Sequence, residues 1–375
     1  MRTVTLALLL LALGAPAAWA QGSLSTQGFG YPPGQLSSRT AATGGALAEI
    51  DPLTPVNPAS LVTWGSSGIY VQYSPEYRRI DSPEGEDKTT TVRFPVVEGA
   101  LSVGGRTTFG ISASTFLDRT WETVRTGFDH VGVDSVQFSE TFRSTGAVND
   151  IRLAAVHVIS PAILVGLGGH VFTGENRLQV SRTFTDTTFA SFSELSTISY
   201  SGTGVSGGVQ WRPGNTFGLS LSGRVGGTVK TVRNDTTLSS AKIPKRFGAG
   251  VSFGGISGLL LAANVDWEGW SSLNSLGESD LRARDSWDYG VGLEGRGPTM
   301  LGATLPVRLG FRRRTLPFGV GSSEVKENTF SLGTGLLLAK ARSRVDFTLQ
   351  RANRNASGGL SEHAWILNFG ILVRP

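Results

Sequence analysis

The chain contains no cysteine, four histidines and two methionines in 375 residues. Without cysteine there can be no disulfide, no thiolate metal ligand and no acylated cysteine to act as a lipid anchor. His130, His157, His170 and His363 include no metal-spaced pair, so neither a metal site nor a cofactor is expected. The formal net charge is +5, but no Lys/Arg block is dense enough to argue for nucleic acid. Beyond the first residues no apolar run is long enough for a membrane-crossing helix. A Gly-x-Ser-x-Gly elbow in a strand-to-helix setting is also missing, so the chain is read as non-enzymatic. His157 is expected at a strand end on an apolar face, beside Leu153 and Ala155.

The N-terminus is a different case. Arg2, the apolar run Leu6 to Leu13 and the small-residue ending Ala18-Trp19-Ala20 form a basic, apolar and A-x-A series. This is the pattern of a Sec signal peptide over 1–20, and it implies export. Glycine is abundant, with 50 residues, roughly twice ordinary usage. A mean hydropathy of −0.01 suits a barrel that is greasy outside and polar within.

From residue 66 onward, apolar and polar residues alternate with a period of two, which places them on opposite faces of strands. Leu259, Leu261, Ala263, Val265 and Trp267 oppose Leu260, Ala262, Asn264, Asp266 and Glu268. Trp365, Leu367, Phe369, Ile371 and Val373 oppose Asn368, Gly370 and Arg374. Fourteen such segments are expected, near 67–79, 91–103, 106–125, 135–159, 162–184, 194–212, 216–233, 244–254, 257–271, 285–296, 304–315, 326–339, 342–354 and 361–374. Short turns alternate with longer polar connections at 80–90, 126–134, 185–193, 234–243, 272–284, 316–325 and 355–360. That alternation, with an even strand count, predicts an all-β, 14-stranded antiparallel transmembrane β-barrel over 66–375. Trp267, Trp287 and Trp365 fit interfacial girdles. Glycines 166, 168, 290, 292, 333 and 335 would either leave a channel in the lumen or bend strands.

Residues 21–65 lack this code. Pro52, Pro55 and Pro58 exclude a regular helix or central strand there, although the segment allows a short helix around Gly45 to Glu49. Fourteen strands enclose more space than side chains of the wall can fill, so 21–65 is the natural plug. The run Ser38-Arg39-Thr40-Ala41-Ala42-Thr43-Gly44-Gly45-Ala46-Leu47-Ala48, then Asp51, then Asn57-Pro58-Ala59-Ser60-Leu61, resembles the N-terminal hatch of FadL-type long-chain fatty-acid outer-membrane transporters. Arg308-Leu309-Gly310-Phe311-Arg312, Leu316-Pro317-Phe318 and Val345-Asp346-Phe347 add to the likeness. The terminal Pro375 departs from the usual terminal aromatic, and the loops look short for helical ligand-catching hairpins.

The resemblance implies a hatch-occluded barrel in the bacterial outer membrane. It also implies a long-chain fatty acid or similar hydrophobic small molecule as ligand, with lateral or hatch-gated release. Gly44, Gly45, Asn57, Pro58 and Ala59 carry over as the hatch motif. From the residues themselves come the lumen-facing charges Arg152, Arg224, Asp266, Glu268, Arg308, Arg312, Arg344 and Asp346. These could pair with one another, or arginines among them (Arg152, Arg224, Arg308, Arg344) could fork onto a ligand carboxylate. Outer-membrane lipid is the expected surrounding. An accessory barrel that binds a protein partner, as in secretion-linked relatives, is the alternative reading.

Overall fold

The computed structural model describes Thr26 and residues 29–375, apart from 83–84, 132–133, 215, 277–282, 301–302, 320–323, 339–341 and 357–359. The expected leader over 1–20 lies outside the described residues. The strands are β1 (Gly68–Ser82), β2 (Gly85–Arg93 and Val96–Val103), β3 (Thr107–Asp118 and Trp121–Val131), β4 (Asp134–Ser160), β5 (Ile163–Phe184), β6 (Phe192–Trp211), β7 (Phe217–Gly226 and Thr228–Arg233), β8 (Thr236–Lys242 and Arg246–Ile256), β9 (Leu259–Glu268), β10 (Ser286–Met300), β11 (Ala303–Thr315), β12 (Lys326–Leu338), β13 (Ser343–Asn355) and β14 (Ser361–Val373). Neighbours in sequence pair antiparallel throughout. The sheet closes where β14 meets β1, with Ile69 opposite Val373 and Tyr73 opposite Phe369. The result is a 14-stranded barrel. Closure matters because an open edge would strand backbone N–H and C=O groups in hydrocarbon.

The two ends differ. At one end the turns are short, as at Gly104-Gly105; at the other, strands run on well past the apolar belt. Three of the expected long loops are in fact strand. Residues 80–82 and 85–90 lie in β1 and β2, 126–131 and 134 in β3 and β4, and most of 234–243 in a hairpin turning at Asn234-Asp235. Polar, threonine-rich sequence looks like loop when only apolar alternation is counted, yet threonine suits strands. The ninth strand stops at Glu268, and a 3-10 helix, Trp270–Leu276, follows it.

Side chains alternate as a bilayer demands. On β14, Trp365, Phe369, Ile371 and Val373 are 38–53% exposed, whereas Glu362, Ala364, Asn368 and Leu372 are buried. Ile69 and Val71 on β1, Leu153 on β4, Leu167 on β5, Leu221 on β7 and Leu332 on β12 also face outward. A continuous apolar belt of this size is the surface of a membrane-embedded barrel. Trp287 stacks on Tyr289 at 6.1 Å, Trp267 on Phe247 at 6.0 Å, and Arg351 covers Trp365 at 5.0 Å. At the short-turn end Trp211 meets Phe217 edge-on at 6.1 Å. These aromatics bracket the belt at both ends, where amphipathic rings are favoured.

Candidate functional site

Residues 29–64 occupy the bore. The helix of this segment is Ser38–Ala42, capped by Ser37, whose Oγ accepts from Thr40 N at 3.0 Å. The helix allowed at 45–49 is instead a series of turns, since Gly44 and Gly45 take φ of 62° and 82°, which ends a helix. Asp51 is the hub: it accepts from Ser37 Oγ, from Thr40 Oγ1 at 3.0 Å and from Thr54 Oγ1 at 3.4 Å, and Arg39 lies 3.4 Å away. Asn57 caps the 3-10 helix Pro58–Trp64 by accepting from Ala59 N at 2.9 Å. Its amide donates to Glu49 O at 3.1 Å and to Leu221 O on β7 at 3.4 Å.

The wall makes room for this segment with glycine. A Cβ on Gly166 would come within 2.5 Å of Ala59 N, and one on Gly333 within 2.5 Å of the Ala42 methyl. One on Gly290 would come within 2.5 Å of Gly44 O, and those on Gly292 and Gly310 would overlap Thr43. Hence Gly166, Gly290, Gly292 and Gly333 leave no channel; they form the seat of the motif Gly44, Gly45, Asn57, Pro58 and Ala59. Of the other two, Gly168 faces Ser206 and Arg152, while Gly335 faces Asp346 and Arg308.

Polar bonds complete the seat. Arg246 and Ser222 hold the Glu49 carboxylate at 2.7 and 2.9 Å, and Thr348 donates to Ser38 O at 2.7 Å. Tyr31 anchors the long-loop end. Its hydroxyl donates to Glu327 at 3.0 Å and accepts from Arg354 at 3.0 Å, and the guanidinium groups of Arg93, Arg314 and Arg354 lie 4.7–5.0 Å from its ring. Glu76, Asp118 and Glu362 pair with Arg93 and Arg354 around it. Buried charge is tolerable only when paired in this way.

The four arginines expected to meet a ligand fall in two places. Arg308 bonds Glu294 at 2.5 Å and Asp346 at 2.7 Å, and Arg344 bonds Asp346 at 2.7 Å, near the short-turn end. Arg152 and Arg224 lie in mid-barrel. Arg152 reaches Glu98 at 2.9 Å, yet among the described residues its Nε and Nη1 have no hydrogen-bond partner. Arg224 is 3.5 Å from Asp150 and 3.7 Å from Glu268, and among the described residues its Nε and Nη2 make no hydrogen bond. Asp266 binds Arg246, Arg312 binds Asp288, and Glu268 accepts from the Trp270 indole at 2.7 Å.

Arg224 borders a packed cluster of buried aromatic side chains in the long-loop half of the bore. Its guanidinium lies 5.1 Å from the Phe116 ring and 5.5 Å from Phe172. Phe116 stacks on Trp270 at 5.0 Å, and Phe29 meets Phe318 at 4.5 Å. Arg119, buried and without a carboxylate partner among the described residues, covers Phe29 at 4.5 Å. The alternation rule missed this cluster. A register shift between Thr115 and Leu117 turns Phe116 and Leu117 inward together, as a bulge does. Trp270 opens the 3-10 helix that follows β9, where the expected strand would run on to 271.

Beside the cluster, Asp150 Oδ1, His170 and Ser206 Oγ form a chain with 2.8 Å at each link. Ser206 lies mid-strand, however. The following residue, Gly207, sits in the ladder between Leu167 and Gly223, so its N–H is committed and forms no oxyanion hole. Asp150 also accepts from Gln35 at 3.2 Å, and the chain thereby ties the N-terminal segment to the wall.

The wall itself has a gap. β2 and β3 pair only from Val96–Ser114 down to Val103–Thr107. Above that, Gly85–Arg93 pairs only with β1 and Trp121–Val131 only with β4. The last backbone bond across is Thr115 N to Pro95 O at 3.2 Å, and above it the side chain of Arg93 on β2 still pairs with Asp118 on β3 at 2.5 Å. Tyr31 then stands in for the missing neighbour, exchanging two backbone bonds with Asp118 at 2.8 and 2.9 Å. A cavity of about 590 Å³ fills the gap, lined by threonines such as Thr91 and Thr120, by Trp121 and Val124, and by the charged side chains of Arg78, Asp87, Lys88, Glu122 and Arg143. Lipid-facing Val92 and Phe94 flank its lower end.

No family model matches the sequence, and no curated protein matches it. Solved structures do resemble it. A Pseudomonas aeruginosa FadL homologue superposes with a TM-score of 0.63 at 12% identity, over 92% of this chain and 99% of that one. The Ralstonia pickettii toluene transporter TbuX gives 0.61 at 13%, over 91% and 98%. The CymD monoaromatic hydrocarbon channel gives 0.58 at 13%, over 91% and 97%. A wall of 14 antiparallel strands closed on itself is therefore the fold this chain shares with a FadL homologue, a toluene transporter and a monoaromatic hydrocarbon channel.

Proposed function

We propose that the protein is a passive, non-enzymatic outer-membrane channel for hydrophobic small molecules, long-chain fatty acids among them, and that residues 29–64 are its hatch. The observation that carries this reading is the joint arrangement of a blocked bore and a breached wall. The hatch blocks the axial route, while the β2–β3 gap lies at the edge of the apolar belt, near the buried aromatic cluster. An aqueous pore would need the opposite. In this reading the long-loop end faces outward and the short-turn end faces the periplasm. The gap lies among threonines and the charged side chains of Arg78, Asp87, Lys88, Glu122 and Arg143, so its unpaired strand edges meet lipid headgroups and water instead of hydrocarbon. A hydrophobic tail would enter by parting the packed rings of Phe116, Phe172, Trp270 and Phe318. A carboxylate would take the unspent N–H groups of Arg152 and Arg224, because forked, charge-assisted bonds are the strong ones. Transport of this kind needs no cofactor; consumption of the ligand inside the cell sets its direction.

The test is binding of oleate and of methyl oleate to the purified barrel, with mass spectrometry of lipids that co-purify. Saturable binding of oleate supports the assignment. A stable protein partner in pull-downs together with no hydrophobic ligand would replace it with the accessory-barrel reading.

A further inference from the structure

The turns and chain end on the periplasmic side carry Arg106, Arg212, Arg296, Arg342 and Arg374, and the short turns contain no Asp or Glu. None of these five arginines has a carboxylate partner among the described residues. Two of them turn into the mouth of the barrel. A cavity of about 500 Å³ opens there, directly beneath the hatch, lined by Arg39, Arg212, Arg344 and Arg374 together with Leu53 and Leu372. Arg39 and Arg344 are neutralised by Glu294 and Asp346 at 2.6 and 2.7 Å. Among the described residues the Arg374 guanidinium donates only to the carbonyl of Trp64, at 3.0 Å, and its Nε is buried without a partner. The guanidinium of Arg212 has neither a hydrogen bond nor an ion pair among the described residues, and partial burial lowers its pKa with no carboxylate to offset the effect. Free cations beside leucines, in a cavity of ordinary ligand size, are suited to one chemical class: a monoanionic headgroup on an apolar tail.

We propose that this vestibule is a second ligand site, in which Arg212 and Arg374 hold the carboxylate of the transported amphiphile after it has passed the hatch. The inference rests on the transport reading and deepens it: the cargo is anionic, and it leaves along the barrel axis into the periplasm. A phospholipid of the inner leaflet offers a similar headgroup. The arginines argue against it as the occupant because they line the inside of the mouth, roofed by the hatch residues Asp51, Pro52 and Leu53, and not the outer, lipid-facing wall.

Because the chain lacks cysteine, a Ser252→Cys substitution in the vestibule lining gives a single site for an environment-sensitive fluorophore. In the full-length labelled protein, octanoate should shift the fluorescence saturably and methyl octanoate should not. Adding Arg212→Gln with Arg374→Gln should weaken the octanoate response tenfold or more, while Arg212→Lys with Arg374→Lys should retain most of it. The response should also fall as salt rises from about 0.05 M to about 0.5 M, since an open cavity is screened. Heat-modifiable gel migration verifies that each variant is a folded barrel. An unchanged octanoate response in the folded Gln double variant, an equal response to the methyl ester, or a response to phosphatidylglycerol nanodiscs with no octanoate present would overturn the proposal. Oleate binding by equilibrium dialysis reads the mid-barrel site and the label at position 252 reads the vestibule, so failure of one and failure of the other are separable.

Discussion

Asp51 is the residue on which the closed state of the bore depends most. Its carboxylate gathers Ser37, Thr40 and Thr54 and faces Arg39, yet it touches no strand through these bonds. Replacing it with alanine removes three hydroxyl-to-carboxylate bonds from a site that is 1% exposed. Hydrogen bonds to a charged group contribute roughly 1.5–3 kcal/mol each. Counting the longest as weak, Asp51→Ala should cost the hatch fold about 4 kcal/mol. At 1.4 kcal/mol per factor of ten, that is roughly a thousandfold increase in the ratio of open to closed hatch. The barrel wall, held by its own ladders, should be untouched. In planar bilayers the wild type should be almost silent and Asp51→Ala should show frequent ion-conducting openings, approaching the behaviour of a 29–60 deletion. Asp51→Asn, which keeps the shape and loses the charge, should fall between them. A folded Asp51→Ala barrel as silent as the wild type would refute the reasoning, as would a 29–60 deletion that conducts no ions.

Other predictions follow from the same geometry. Arg152→Gln with Arg224→Gln should weaken oleate binding at least tenfold and leave methyl oleate nearly unchanged, measured by equilibrium dialysis of the folded protein. Gly292→Leu places a side chain where Thr43 sits; overpacking of this kind costs roughly 1–3 kcal/mol, and it should appear as protease sensitivity of residues 29–64 before any loss of the barrel. Cysteines at Thr91 and Thr120, both lining the wall gap, should accept a short bifunctional cross-linker and thereby slow ligand loading from vesicles, whereas a cross-link between β13 and β14 should not. Tyr31→Phe leaves Glu327 and Arg354 without their shared hydroxyl partner; a loss of about 1–3 kcal/mol should lower the midpoint of denaturant-induced hatch release.

The strand count and the division into lipid and lumen faces could be read residue by residue, because a period of two is a local property and charge avoids hydrocarbon at every position. The fourteen expected segments correspond one to one with β1 to β14. The segment without alternation, with its Gly-Gly-Ala, Asp and Asn-Pro-Ala elements, was recognisable for the same reason: three prolines and paired glycines forbid a strand. Local reading failed where polar sequence continued a strand beyond the apolar belt, as in 85–90 and 126–131, since the barrel wall does not stop where the lipid does.

What the chain could not reveal locally is whatever depends on register between distant strands. Gly166, Gly290, Gly292 and Gly333 read equally well as a channel or as bends, and only their apposition to Thr43, Gly44 and Ala59 makes them a seat. Asp150, His170 and Ser206 meet because β4, β5 and β6 slide to one alignment. One extra residue near Thr115, in the ladder of β3 with β4, turns Phe116 and Leu117 inward together just above the level where the pairing of β2 with β3 ends. Closing a sheet fixes these alignments all at once, through contacts hundreds of residues apart, whereas alternation is settled by each residue and its immediate neighbours.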